Sequence, residues 1–217
     1  MRTKMLSDEM KENLLSVGQD FGEIAIDAFM NDGIWKDIPV ISTAVNIAKI
    51  GATFRDRAFL NKLHDFLYEY EKLTGEEKEK IKDKIYSYQD KKSFGEEITK
   101  TIDDAENCKK ATLLGKAMKA LLSDEVDVNL YLVLANRISK CYYSDILHLR
   151  DFETENSEYF ASNDKIPGIS LDQLYFCGFL SDTGYSGGGF NDEPCGRGYA
   201  LNEYGRALRK ILMANDE

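Results

Sequence analysis

The segment VISTAVNIAKIGATF, residues 40–54, is almost wholly apolar or small. Four of its five polar residues, Ser42, Asn46, Lys49 and Thr53, recur at i, i+4, i+7 and i+11, with Thr43 beside them. On a helix of 3.6 residues per turn this spacing collects them into one narrow stripe and leaves the rest of the circumference apolar. Such a helix has to be enclosed, and Ala44, Ala48, Gly51 and Ala52 let its neighbours approach closely. The expectation is a central core helix with one solvated edge, surrounded by others. The competing reading is a segment that leaves the bundle to self-associate or insert into a membrane. No run of about 18 uncharged apolar residues occurs, so an ordinary transmembrane helix is not encoded.

The flanking sequence supplies candidates for the surrounding helices. Residues 6–31 carry Leu14, Leu15, Val17, Phe21, Ile24, Ile26 and Phe29 and stop at Asn31-Asp32-Gly33. Pro39, after a short connector from Trp35, suits a first helical turn, where its missing N–H has no partner to lose. Residues 55–73 place Phe59, Leu63, Phe66, Leu67, Tyr70 and Leu73 on one face, with Asn61, Lys62, Asp65, Glu69 and Lys72 opposite. Thr74 and Glu77 form a capping-box pattern ahead of the charged helix EEKEKIKDKIYSYQ, whose Glu and Lys charges cancel at i, i+4 spacing. A Ser93 cap is expected to open a short helix bearing Phe94, Ile98 and Ile102. An Asn107 cap precedes one with Ala111, Leu114, Met118 and Leu121 inward. From Asp127 a long pattern runs through Leu130, Leu134, Ile138 and Cys141 toward Leu149, then dissolves in the polar run after 151. The tail reads as a loop with Pro167 and Gly168, a Ser170-capped helix, a glycine-rich hairpin returning through Tyr199, Ala200 and Leu201, and a closing helix. A boundary is therefore expected at 151, giving a helical-bundle domain over 1–151 and a smaller module over 152–217.

Charge narrows the function classes. The chain of 217 residues holds 28 Lys+Arg against 38 Asp+Glu, a formal charge of −10, which counts against a dedicated phosphate-backbone binder. The tail is the more acidic part, with 5 basic and 11 acidic residues after position 151. Twelve Tyr and eleven Phe supply enough large buried area to exclude global disorder. The charged residues Lys11, Glu12, Asp20 and Glu23 interrupt any apolar stretch that a secretion signal would require. Cys108, Cys141, Cys177 and Cys195 stand singly, without a CxxC pattern, as expected of reduced thiols in a cytoplasmic protein.

Few residues suggest chemistry. The glycine run GYSGGGFNDEPCGRG, residues 184–198, lacks the Lys and the following helix of a phosphate-binding loop and reads as a hairpin loop. Cys141, Asp145 and His148 fall at i, i+4 and i+7, which on one continuous helix would gather a thiol, a carboxylate and an imidazole for metal or nucleophile chemistry. The plainer reading makes Cys141 a buried small hydrophobe where the apolar stripe runs out. His64 sits beside the buried face of its helix, and Cys177 and Cys195 approach one another if the loop folds back. Carboxylate pairs such as Glu76-Glu77, Glu96-Glu97 and Asp103-Asp104 are expected at polar helix starts, where negative charge would offset the macrodipole. No catalytic, metal or cofactor site is expected.

Residues 171–180 (LDQLYFCGFL) and 199–212 (YALNEYGRALRKIL) resemble the end of winged-helix domains, in which a helix and a tight turn lead into a glycine-containing wing and a final helix. Gly178 and Gly205 occupy the turn and packing positions of that pattern. Residues 33–67 resemble a segment of helical bacterial proteins of unassigned function, some of them associated with phage-defence loci. The resemblance implies a mainly α protein, a helical bundle with a winged-helix-like C-terminal module and a short β-hairpin, and it brings no catalytic residues. The helix that would enter a DNA groove offers Asp172 and no Lys or Arg, and the wing has Arg197 alone against Asp182, Asp192 and Glu193. Arg206, Arg209 and Lys210 on the last helix, with Arg197, remain as candidate anion or partner contacts. The expectation is a non-enzymatic bacterial interaction or regulatory protein that binds a protein partner or itself. A membrane-acting effector using residues 38–54 and a winged-helix DNA-binding regulator stand as alternatives.

Overall fold

The computed structural model describes residues 54–71, 74–76, 79–80, 83, 91–122, 125–162, 165–187 and 195–214. The apolar segment 40–54 and the helix expected within 6–31 lie outside the described residues, apart from Phe54, as does the middle of the glycine run. Of the charged segment after Thr74, residues Gly75, Glu76, Glu79, Lys80 and Asp83 are helical and exposed.

The amphipathic stripe at 55–73 forms α1 (Phe54–Glu71), which buries Phe59, Leu63, Phe66 and Leu67. Helix α2 (Lys91–Asp104) starts two residues ahead of the expected Ser93 cap and buries Phe94, Ile98 and Ile102. Its C-terminal end is closed from outside, since the Lys62 ammonium donates to the Asp103 carbonyl and, at 3.1 Å, to that of Ala105. Helix α3 (Cys108–Leu122) begins at the Asn107 cap, whose Oδ1 accepts from the Lys110 N–H at 3.1 Å. It crosses α1 closely at Gly115, where an added Cβ would stand 2.6 Å from the Phe66 carbonyl oxygen and 3.0 Å from Glu69 Cβ. That approach covers Glu69, which sequence spacing assigns to the solvated face but which is only 6% exposed. Helix α4 (Val128–Lys140), capped by Asp127 at 2.7 Å, packs against α2 and α3.

The long helical pattern expected from Asp127 to Leu149 is broken. Cys141 adopts extended backbone (φ −87°, ψ 141°), a five-residue helix α5 (Tyr143–Leu147) follows, and His148–Asp151 forms a 3-10 turn. No glycine or proline marks the break. Burial of Cys141, Ile146, Leu149 and Phe152 on both sides of it bends the chain around the core instead of along one axis.

Strand β1 (Glu158–Phe160) precedes α6 (Gly168–Phe176), which begins after Pro167, so Ser170 lies within the helix and does not cap it. The hairpin β2 (Leu180–Gly187) and β3 (Cys195–Leu201) completes a three-stranded antiparallel sheet in the order β1-β3-β2, with Tyr159 opposite Tyr199 and Leu180 opposite Leu201. The turn from α6 into β2 rests on Gly178 at φ +84°, where the Arg137 guanidinium fills the space a side chain would take. Asn202 caps the last helix α7 (Glu203–Met213), accepting from the N–H groups of Tyr204 and Gly205 at 3.0 Å each. Its amide also donates to the carbonyls of Gly178 and Leu180.

The fold is thus mainly α-helical with one small antiparallel sheet. Helix α7 packs on α3, α4 and the 3-10 turn, and buried residues on both sides of position 151 belong to one hydrophobic cluster. Among the described residues no helix is long and apolar enough to cross a membrane.

Candidate functional site

Helix α6 has a buried side and an unusually apolar exposed side. Leu171 and Leu174 are fully buried, which fixes the rotation of the helix and turns Ile169 and Phe176, seven residues apart, outward together. They are 76% and 75% exposed. Tyr142, ahead of α5, and Tyr185, on β2, are further large exposed side chains of this half of the molecule. Helix α5 packs against α6, and the Ser170 hydroxyl donates to Asp145 Oδ1 at 2.7 Å, so the rotation is held by a polar bond as well as by the core.

An aromatic and polar chain ties α6 to the hairpin. Tyr175 meets Phe176 edge-on at 5.7 Å and Tyr199 at 5.7 Å, and the Arg197 guanidinium lies 5.1 Å above the Tyr175 ring. The Tyr199 hydroxyl donates to Asp172 Oδ1, and Arg197 Nε pairs with Asp182 Oδ2 at 2.8 Å. Burial, and then the neighbouring Asp172 carboxylate, raises the Tyr199 pKa above the usual tyrosine value. The acidic residue on α6 and the single arginine of the β2–β3 hairpin are therefore engaged with partners of their own chain.

The other basic candidates are similarly occupied. Arg209 donates through Nε and Nη2 to the Phe152 carbonyl at 3.1 and 2.8 Å, and Arg206 donates to the Leu201 carbonyl at 2.8 Å. Lys210 remains extended toward solvent, its Nζ 4.0 Å from Glu155 Oε1. These side chains fasten α7 to the segments around it and do not converge on a common point. Arg197 stands on a different element, the β3 strand.

Cys141, Asp145 and His148 do not share a helical face, because the helix ends at Cys141. His148 Nδ1 shares a hydrogen bond with Asp151 Oδ2 at 2.7 Å, and His64 does so with Asp65 at 3.1 Å. Cys141 meets a different set. Cys177, the residue that closes α6, is near enough for the two thiols to shift one another, Cys141 upward and Cys177 downward to about 7. Lys110 is only 1% exposed; its ammonium donates to the Ser139 carbonyl at 2.8 Å and stands 3.6 Å from Glu106 Oε2. Burial lowers its pKa below the usual lysine value, against the opposing pull of Glu106. Sequence reading did not find this cluster, although Lys110 precedes Leu114 by four residues on the buried side of α3. That spacing is the available signal, and a lysine on it reads by default as a boundary residue.

Among the described residues no group of three or more His, Cys, Asp or Glu side chains is arranged to hold a metal ion. No family model, curated protein or solved structure matches the chain.

Proposed function

We propose that the chain is a non-enzymatic interaction protein whose C-terminal unit is winged-helix-like and presents α6 to a protein surface. The observation that carries this reading is the pair Ile169 and Phe176, turned outward together on a helix without a single Lys or Arg. Exposed large apolar side chains on one face of a rigid helix suit a protein interface, whereas a helix read into a DNA groove needs cationic or amide side chains toward phosphates and base edges. The element sequence β1-α6-β2-β3-α7 and the strand order β1-β3-β2 support the winged-helix-like part of the reading. The unit departs from a helix-turn-helix in one respect. Among the described residues of the β1–α6 connection there is no helix, and α5, which comes before β1, packs against α6 instead.

The test uses the full chain and the double variant Ile169→Asp/Phe176→Asp, compared by light scattering and by cross-linked pull-down from cells of a bacterial host. The wild type is expected to self-associate or retain a partner, and the variant, with unchanged far-UV dichroism, to lose at least tenfold of that association. Equal association by both chains overturns the reading. So does retardation of duplex DNA at low salt that depends on α6 and weakens steeply as salt rises.

A further inference from the structure

Leu171 and Leu174 face the core, so Ile169, Asp172, Gln173 and Phe176, at i, i+3, i+4 and i+7, form one stripe on the open side of α6. Its two ends, Ile169 and Phe176, are large, apolar and exposed, and stand about 10 Å apart along the helix axis. Its middle is polar. Asp172 accepts from the Tyr199 hydroxyl through Oδ1, and among the described residues no Lys or Arg pairs with it. The cations of the tail reach other groups: Lys165 meets Glu153, Arg197 meets Asp182, Lys210 lies 4.0 Å from Glu155, and Arg206 and Arg209 donate to backbone carbonyls. A carboxylate whose charge the described chain leaves unbalanced therefore sits between two apolar anchors. On the reading of α6 as a protein interface, we propose that its partner is a cationic amphipathic helix, with one Lys or Arg between two large apolar side chains two turns apart.

A helix laid along α6 presents its own side chains at i, i+3 or i+4, and i+7, the spacing of the stripe it meets. Its apolar residues cover Ile169 and Phe176, and its cation reaches the open Oδ2 of Asp172. Flanking apolar side chains exclude water there, which strengthens a charge pair relative to open solvent. The hairpin widens the same surface. Tyr185 stands opposite Arg197 in the β2–β3 ladder, the Arg197 guanidinium lies over Tyr175, and Tyr175 meets Phe176 edge-on.

Other occupants fit less well. In a second copy laid antiparallel on α6, Ile169 would face Phe176 at both ends, but the twofold axis would fall between positions 172 and 173 and bring two Asp172 carboxylates together. The two tails, each with 5 basic against 11 acidic residues after position 151, would add to that repulsion. Phosphate-bearing surfaces meet the same charge.

The full chain is used to select from a displayed library of 18-residue, alanine-rich helical peptides randomised on one face, with Ile169→Asp/Phe176→Asp as the counter-target. The expected winners carry Lys or Arg between two large apolar residues seven positions apart. Asp172→Asn, which keeps an oxygen for the Tyr199 hydroxyl, is expected to weaken their binding tenfold or more by fluorescence anisotropy. Exchanging the peptide's cation for Gln should cost the wild type as much, and this comparison decides if Asp172→Asn fails to fold. Winners without a cation, or equal binding by wild type and Asp172→Asn, overturn the cationic partner and leave α6 an interface. Failure of any peptide to distinguish the wild type from the double variant overturns both. A dimer in sedimentation that the double variant abolishes makes the occupant a second copy and overturns the cationic partner alone.

Discussion

Tyr131 carries its hydroxyl into the middle of the helical core, beside Phe94, where it finds no hydrogen-bond partner among the described residues. A buried unpaired hydroxyl costs roughly 1–3 kcal/mol, so Tyr131→Phe is expected to raise stability at neutral pH by about 1 kcal/mol, read from urea unfolding. The same burial raises the phenol's pKa. An unfolded tyrosine gives up its proton near pH 10, the buried one does not, and above that pH the folded chain holds more protons than the unfolded chain. Stability therefore falls as pH climbs past 10, and the Phe variant loses this part of the slope. Lys110 acts with the opposite sign. Its pKa is lowered, so between the folded value and about 10.5 the unfolded chain holds the extra proton, and stability contributed by this group rises with pH through that window.

At the scale of elements, close approach and capping decide more than propensity. Gly115→Ala would drive a Cβ to 2.6 Å from the Phe66 carbonyl and force α1 and α3 apart, at an expected cost of about 2 kcal/mol. Asn202→Ala removes a cap and two bonds to the carbonyls of Gly178 and Leu180, and is expected to cost about 2 kcal/mol. Asp127→Ala, which removes a cap alone, should cost about 1 kcal/mol. Chemical denaturation of the three variants checks the order. The element stripes were legible in the sequence wherever apolar spacing and a cap agreed: Phe59 to Leu67 in α1, Asn107 before α3, Asp127 before α4. The turn at Cys141 was not legible, because the apolar spacing runs through it and only the shape of the core beneath bends the chain. Nor was β1, whose three residues are too few to display alternation. The exposed pair on α6 was hidden as well, since Ile169 and Phe176 look like core residues until Leu171 and Leu174 are known to point inward.

For the whole molecule the important fact is that burial does not stop at residue 151. Arg209 reaches back to Phe152, Arg150 Nη2 donates to the Leu212 carbonyl at 3.0 Å, and α7 packs on the helical half. Urea unfolding followed by far-UV dichroism and by tyrosine fluorescence should therefore give coincident, single transitions for the full chain. Two separated transitions would mean that the shared cluster is too weak to couple the halves.

The sheet has its own bearing on the company this protein keeps. Strand β2 lies on the outside of the order β1-β3-β2, and its pairing is interrupted between Asp182 and Gly184, where Gly184 takes φ +115°. An irregular rim with a carboxylate and a left-handed glycine is a poor template for another strand to zip onto. Association by sheet extension, the route that leads toward fibres, is thereby discouraged at that margin.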